Sequence, residues 1–425
     1  MIKNKILLIK DKKLLLSIIG PGILVAATGV GAGDLATAAF SGAKLGLVIL
    51  WAVVLGAFFK FVLNEGLARW QLTTGYTLLE GAMHHFGKPV QYGFLLYFLM
   101  WSFMVAAALM SACGVAAQAI FPISADPITG KIIYGIIHSL IGLGLVHLGG
   151  YSLFEKLMGI CIGLMFIIVM TTAFLLQPNF TEVMNGLLIP TIPQAGWVGL
   201  AWTIALMGGI GGTVTILSYG YWIREKGRFT SKDLLLCRLD LAVGYIITAL
   251  FGVFMVIIGH HIQIEGSGAL LIIKLADMLV GELGLFGKWL FLIGAWGAIF
   301  SSLLGVWQSV PYIFADLWHL IQADNNGNQQ VIDTNSKLYR GYLYALSFIP
   351  MFGLWIGFAN MQKFYAIIGA LFIPMLAITL LLLDKQSPLV DDKHRNRPLT
   401  TVILIFILLF FLMAGVLTLK KVLGL

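Results

Sequence analysis

Eleven apolar stretches divide this chain, and their length decides its solvent. A helix needs about 20 apolar residues to cross the hydrocarbon core of a bilayer. The stretches fall near 14–41, 45–68, 90–121, 131–149, 152–177, 197–222, 234–260, 286–317, 340–359, 363–384 and 399–422. Of the 425 residues 59% are hydrophobic and 11% charged, against about 25% charged in a soluble domain. Backbone groups in lipid must be satisfied within the segment, so the stretches are expected as helices. The chain therefore reads as an all-α polytopic membrane protein. The longest polar gap, from Gln322 to Lys337, is too short for a separate soluble domain.

The net charge of +8 is not a nucleic-acid signal, because its carriers fall in alternate connections. Lys3, Lys5, Lys10, Lys12 and Lys13 precede the first span. Arg224, Lys226, Arg228, Lys232 and Arg238 lie between the sixth and seventh, and Lys385, Lys393, Arg395 and Arg397 between the tenth and eleventh. By the positive-inside rule these face the cytoplasm. The N-terminus is then cytoplasmic and the C-terminus outside, in the plasma membrane, with Lys420 and Lys421 as the exception. No cleavage site follows the basic start, which reads as a retained tail.

The first span is not a plain helix. In GPGILVAATGVGAGDLATA, Gly29, Gly31 and Gly33 interrupt it and Asp34 follows at once. Irregular backbone is tolerated at membrane depth only where protein or a polar cavity satisfies it. An intramembrane carboxylate is a functional-site hypothesis by default. The sixth span, WTIALMGGIGGTVTILSYGYW, repeats the pattern with Gly208, Gly209, Gly211 and Gly212, then Thr213, Thr215 and Ser218. Two broken spans five helices apart point to an inverted five-plus-five repeat, with a site at the breaks. Residues 1–13 then form a basic tail, 14–384 a ten-helix core, and 385–425 a connection and an eleventh helix.

Asp34 has two readings: a cap on the second half of its own helix, or a cation ligand facing the broken sixth span. Carboxylate, hydroxyl and carbonyl oxygens together suit a hard cation. The hydroxyls of Thr213, Thr215 and Ser218 stand beside the second break, although membrane hydroxyls often bond back to their own helix. Tyr219 and Tyr221 read equally as gate or packing. In the eighth span Ser301, Ser302 and Gln308 either line the cavity or tie helices together. Asp240, Asp316, His319 and Glu155 sit at span ends, as gate or interface charges. The Asn179–Thr181 sequon lies in the fifth–sixth loop. Cys113, Cys161 and Cys237 read as packing residues, and the eight histidines show no metal spacing. No nucleophile–base pair marks an enzyme. The third span carries no acid or base for a proton relay.

These features resemble the Nramp family of divalent-metal transporters, best in IGPGILVAATG, GDLATA and SGAKLG of the first span, GGIGGTV of the sixth and GAWGAIFSSLLG of the eighth. The resemblance implies a LeuT-like fold. The family's Asp-Pro-Gly-Asn metal motif reads here Gly31-Ala32-Gly33-Asp34, so the carboxylate moves by three residues. Its Met-Pro-His motif reads Thr215-Ile216-Leu217, and Gly212 takes the place of a carbonyl ligand. Positions of the family's proton-pathway acids hold Val105, Ala112 and Val115.

Losing the thioether removes a preference for later transition metals and leaves oxygen ligands. The resemblance thus implies a carrier of Mg²⁺ or Mn²⁺ working by alternating access, without the usual proton coupling. Asp34, Thr215 and the carbonyls of Gly31 and Gly212 would hold the ion. The ion is cargo; no cofactor, nucleic acid or obligate protein partner is expected beside the bilayer. The alternative is a Na⁺- or H⁺-coupled carrier of a small organic solute on the same scaffold. A non-transporting sensor would be expected to carry an added soluble domain.

Overall fold

The computed structural model describes residues 20–148, 151–193, 197–261, 271–322, 333–386 and 390–422. The basic tail 1–13 and the first residues of the first span, 14–19, lie outside them. So do the side chains of Glu155, Lys385, Lys420 and Lys421.

The first span is two helices, α1 (Pro21–Gly29) and α2 (Ala32–Leu45). There follow α3 (Leu50–Thr74), α4 (Leu78–Ile120), α5 (Pro127–Leu148), α6 (Tyr151–Leu175) and a short α7 (Phe180–Leu188). The sixth span is again two pieces, α8 (Trp197–Gly209) and α9 (Ser218–Glu225), joined through a 3₁₀ turn at Val214–Leu217. Then come α10 (Leu234–His260), α11 (Leu271–Gln322), α12 (Lys337–Phe348), α13 (Phe358–Ala370), α14 (Phe372–Gln386) and α15 (Pro398–Val422). No strand occurs among the described residues.

Local chemistry sets many of these boundaries. Pro21 opens α1, where its missing N–H costs nothing. A reciprocal Thr77–Glu80 capping box opens α4. Asn179, the sequon residue, is the N-cap of α7 and accepts from the N–H groups of Thr181 and Glu182. Gly87 (φ 72°) kinks α4 and Gly284 (φ 66°) kinks α11, so a separate helical lead-in precedes each of the third and eighth spans.

Eight described helical segments are long and apolar enough to cross a membrane. The sequence counts eleven spans. The difference lies in the first, split into helices of 9 and 14 residues; in the ninth, which closes as a 3₁₀ helix over Ile349–Trp355; and in the eleventh, whose apolar part is Pro398–Met413. The tenth span is interrupted too, between Ala370 and Phe372.

The molecule is an integral, multi-pass membrane protein. Its long exposed apolar side chains, such as Leu96, Ile167, Ile246 and Leu409, face the surroundings as a lipid-facing surface must. The two broken spans run through the middle. α1 and α2 both pack on α10, α1 also on α6 and α11, and α8 packs on α2, α3 and α13.

Candidate cation site at the two helix breaks

The two interruptions lie against each other. α1 ends at Gly29, and Val30 still donates its N–H to the Ala26 carbonyl at 2.7 Å. Gly31 precedes α2, and its carbonyl accepts the Leu35 N–H at 3.0 Å. A Cβ on Gly29 would stand 2.7 Å from the Gly211 carbonyl carbon, and one on Gly31 would stand 1.9 Å from Ser302 Oγ. Only glycine permits these approaches. In the sixth span Gly211 (φ 75°) and Gly212 (φ 85°) take the left-handed conformation, which breaks the helix without a Cβ penalty.

Asp34 stands in the first turn of α2 but makes no capping bond there. Its carboxylate crosses to the sixth span, where Oδ2 accepts the Gly211 N–H at 3.2 Å. The residue is fully buried, and Oδ1 has no partner among the described residues. A buried, unpaired carboxylate oxygen is costly, so this atom is the one best placed to receive a cation or an amine.

The carbonyls of the same turn go elsewhere. Lys60, on α3, donates its ammonium to the Gly208 carbonyl at 3.0 Å, to Ile210 at 2.7 Å and to Gly212. Lys60 has no exposed surface. It interacts electrostatically with Asp34. One turn of backbone is thus held between an ammonium on its carbonyls and a carboxylate on one of its N–H groups. Lys60 escaped the sequence reading, although a lysine inside WAVVLGAFFKFVLNEGLARW is a signal by the same rule that singled out Asp34. Asn64 and Gln71 share its helix face. Asn64 donates to the Tyr245 hydroxyl at 3.2 Å and Gln71 to the Gly220 carbonyl at 2.6 Å. The whole stripe addresses the broken spans and their neighbour α10.

The other candidates divide. Thr213 accepts from Trp101 Nε1 at 2.9 Å, which ties the break to the third span. Thr215 lies in the 3₁₀ turn with Oγ1 folded over Gly212, 2.6 Å from where a Cβ would be. Ser218 is buried and its Oγ is unpartnered among the described residues. These three hydroxyls stay with the break. Ser302 packs on Gly31. Ser301 bonds back to the Ala298 carbonyl at 2.7 Å, and Gln308 accepts Trp222 Nε1 at 3.0 Å. Both of those ties are within or between helices.

The span-end charges form separate networks. Asp240 accepts from the Gly22 N–H at 2.9 Å, from Tyr219 at 3.2 Å and from Arg228 at 3.0 Å. Asp316 accepts from Tyr221 at 2.6 Å and from Thr77 at 3.4 Å. Tyr219 and Tyr221 are therefore clamps between the far half of the sixth span and its neighbours. Cys113, Cys161 and Cys237 are free thiols. Among the described residues no group of three or more His, Cys, Asp or Glu could hold a metal ion. An ion at the breaks would rely on neutral oxygens around one carboxylate.

Two broken helices five spans apart, back to back around a buried charge, define a core of the LeuT-like fold. The chain belongs to the natural resistance-associated macrophage protein-like family, Nramp, which it matches over residues 22–421. It is 26% identical over 181 residues to the divalent metal cation transporter MntH of Staphylococcus saprophyticus, a match spanning 42% of this chain and 39% of that protein. The manganese transporter of Eremococcus coleocola, solved with an aromatic bis-isothiourea compound, superposes with a TM-score of 0.76 at 16% identity, over 96% of this chain and 87% of the other. Mhp1, of the nucleobase-cation-symport-1 family, shares the fold at a TM-score of 0.59 and 14% identity, over 95% of this chain and 93% of its own. The family is one of transporters, not enzymes.

Proposed function

We propose that this protein carries a hard divalent cation, Mg²⁺ or Mn²⁺, across the plasma membrane by alternating access, at the breaks of its first and sixth spans. One observation carries the reading. Asp34 is fully buried, binds Gly211 across the two breaks with one oxygen, and leaves the other unpartnered among the described residues. The family supports it, as does the Staphylococcus relative named for divalent metal cations. Thr215, Thr213, Ser218 and the Gly31 carbonyl are the further ligands we assign, joined by the Gly212 carbonyl once the Lys60 ammonium that holds it is displaced. All are oxygen donors, which suits a hard ion that keeps part of its water. The ion is cargo, and no resident cofactor is invoked.

In this reading residues 14–384 form the transport core and 385–425 the connection and appended helix. The third span contributes no proton relay: Val105, Ala112 and Val115 are buried and apolar. The N-terminus is cytoplasmic. In support, Arg69, Arg238, Lys393, Arg395 and Arg397 line one cavity of about 430 Å³, so the sixth–seventh and tenth–eleventh connections share a side, as the positive-inside rule requires.

A second reading has its own support. The Lys60 ammonium on the Gly208, Ile210 and Gly212 carbonyls supplies the charge that a metal would otherwise bring. The site could then serve a small organic solute whose amine meets Asp34.

Uptake into proteoliposomes loaded with a divalent-ion-sensitive dye separates the two. Flux of Mg²⁺ or Mn²⁺ that collapses in Asp34→Ala supports the metal reading. Folded protein with no flux above empty liposomes removes it, and organic solutes become the cargo to screen.

A further inference from the structure

The last carbonyls of a helix lack intrahelical partners and carry the negative end of its dipole. Where a membrane helix stops at mid-depth, those oxygens make a cation site. In the sixth span the carbonyls of Gly208, Ile210 and Gly212 converge in this way, and all three are taken by one side chain, Lys60. An ammonium has three donors and no acceptor, so its capacity is filled. Lys60 has no exposed surface. Its opposing charge, Asp34, holds the Gly211 N–H of the same turn. The turn is thus balanced for one positive charge facing one carboxylate.

We propose that Lys60 is a tethered cation that competes with a mobile ion for the Gly208, Ile210 and Gly212 carbonyls. An ion takes those oxygens only by displacing the ammonium. The balance also sets selectivity. A monovalent ion substitutes for the tether without changing the charge of the turn. A divalent ion adds a charge that only Asp34 opposes, so the divalent cargo proposed above is accepted only with the Lys60 ammonium withdrawn from the turn. That the competing ion is cargo rests on the transport reading above. That an ion binds once the tether is removed does not.

The test is therefore a binding experiment on purified full-length protein. Lys60→Met keeps the length of the side chain and removes its charge. Lys60→Gln, whose amide keeps one donor on the carbonyls, carries the same expectation should Lys60→Met not fold. Thermal unfolding is followed against NaCl, MgCl2 and MnCl2, with N-methyl-D-glucamine chloride as the control for ionic strength. We expect the wild type to respond little to Na⁺, and the variant to be stabilised by Na⁺ with half-saturation at a concentration roughly tenfold lower or more. Adding Asp34→Asn to the variant should abolish the gain, placing the ion at this turn. A variant that responds to each salt as the wild type does overturns the proposal, as does a gain that survives the Asp34→Asn change. The outcomes remain distinct from those of the uptake assay. A gain without wild-type divalent uptake leaves the tether and removes the cargo reading, whereas uptake without a gain does the reverse.

Discussion

Asp34 and Gly211 are 177 residues apart in sequence and joined by a hydrogen bond of 3.2 Å, from the Gly211 N–H to the buried carboxylate. The bond fixes the start of α2 to the break of the sixth span, the two pieces of backbone that the proposed alternating access would have to move or hold. A hydrogen bond to a charged group contributes about 1.5–3 kcal/mol. Removing it and removing the charge are separable. Asp34→Asn retains an acceptor for Gly211 but leaves the buried Lys60 ammonium unopposed. It should therefore fold with reduced thermal stability, though less reduced than in Asp34→Ala, while divalent flux falls at least about tenfold. Asp34→Ala should lose both. Thermal melts and dye-based uptake on the same preparations decide this, and normal flux in Asp34→Asn would remove the charge from the mechanism.

The close approaches at the first break predict an asymmetric pair of glycine variants. Gly31→Ala pushes a methyl into Ser302 Oγ and should cost about 1–3 kcal/mol by overpacking. Ser302→Gly should recover most of it, because the obstructing atoms belong to a side chain. Gly29→Ala meets the backbone of Gly211, and no side-chain change can make room there. Unfolding midpoints of the two single variants and the Gly31→Ala/Ser302→Gly double variant test the distinction. No recovery in the double variant would contradict it.

Asp240 joins the first turn of the first span to the sixth and seventh through Gly22, Tyr219 and Arg228. The ion pair is buried, with Arg228 and Asp240 side chains 7% and 0% exposed. Breaking such a pair from one side costs about 3–5 kcal/mol, whereas replacing both partners by apolar residues costs far less. Asp240→Leu should therefore destabilise more than the Asp240→Leu/Arg228→Met double variant. A double-mutant cycle in thermal or denaturant unfolding reads the coupling. Additive single effects would show that the two residues act independently.

The third span offers no acid for a proton. Val105, Ala112 and Val115 are buried hydrocarbon, and this span makes a polar bond to the sixth from Trp101 to Thr213. Metal uptake should therefore proceed without acidification of the lumen, within the noise of empty liposomes. A pH-sensitive dye inside the vesicles, recorded beside the metal-sensitive one, makes the comparison. Stoichiometric acidification would restore proton coupling by another route.

Much of this protein was legible in the sequence because the determining signals are local. An apolar run of about 20 residues chooses the bilayer as its solvent, and it does so whatever its neighbours. Glycines clustered inside two such runs announce breaks, since irregular backbone in lipid requires a satisfying partner nearby. Asp34 stood out for the same reason. The partners themselves were not legible. That Asp34 leaves its own helix end and reaches Gly211, that Trp101 donates to Thr213, and that Lys60 fills three carbonyls of a turn 148 to 152 residues away depend on how the spans lie against one another. Spacing along one helix says which face a side chain shares, as with Lys60, Asn64 and Gln71, but not which helix meets that face. Gln308 and Ser301 show the converse, polar residues in an apolar span whose bonds turned out to be ties within the scaffold. Sequence alone determined the solvent, the positions of the two breaks and the presence of a carboxylate inside the first broken span. Tertiary structure decided what each charge holds, because a buried hydrogen bond is set by the distance between two chain segments, and that distance exists only once the helices have packed.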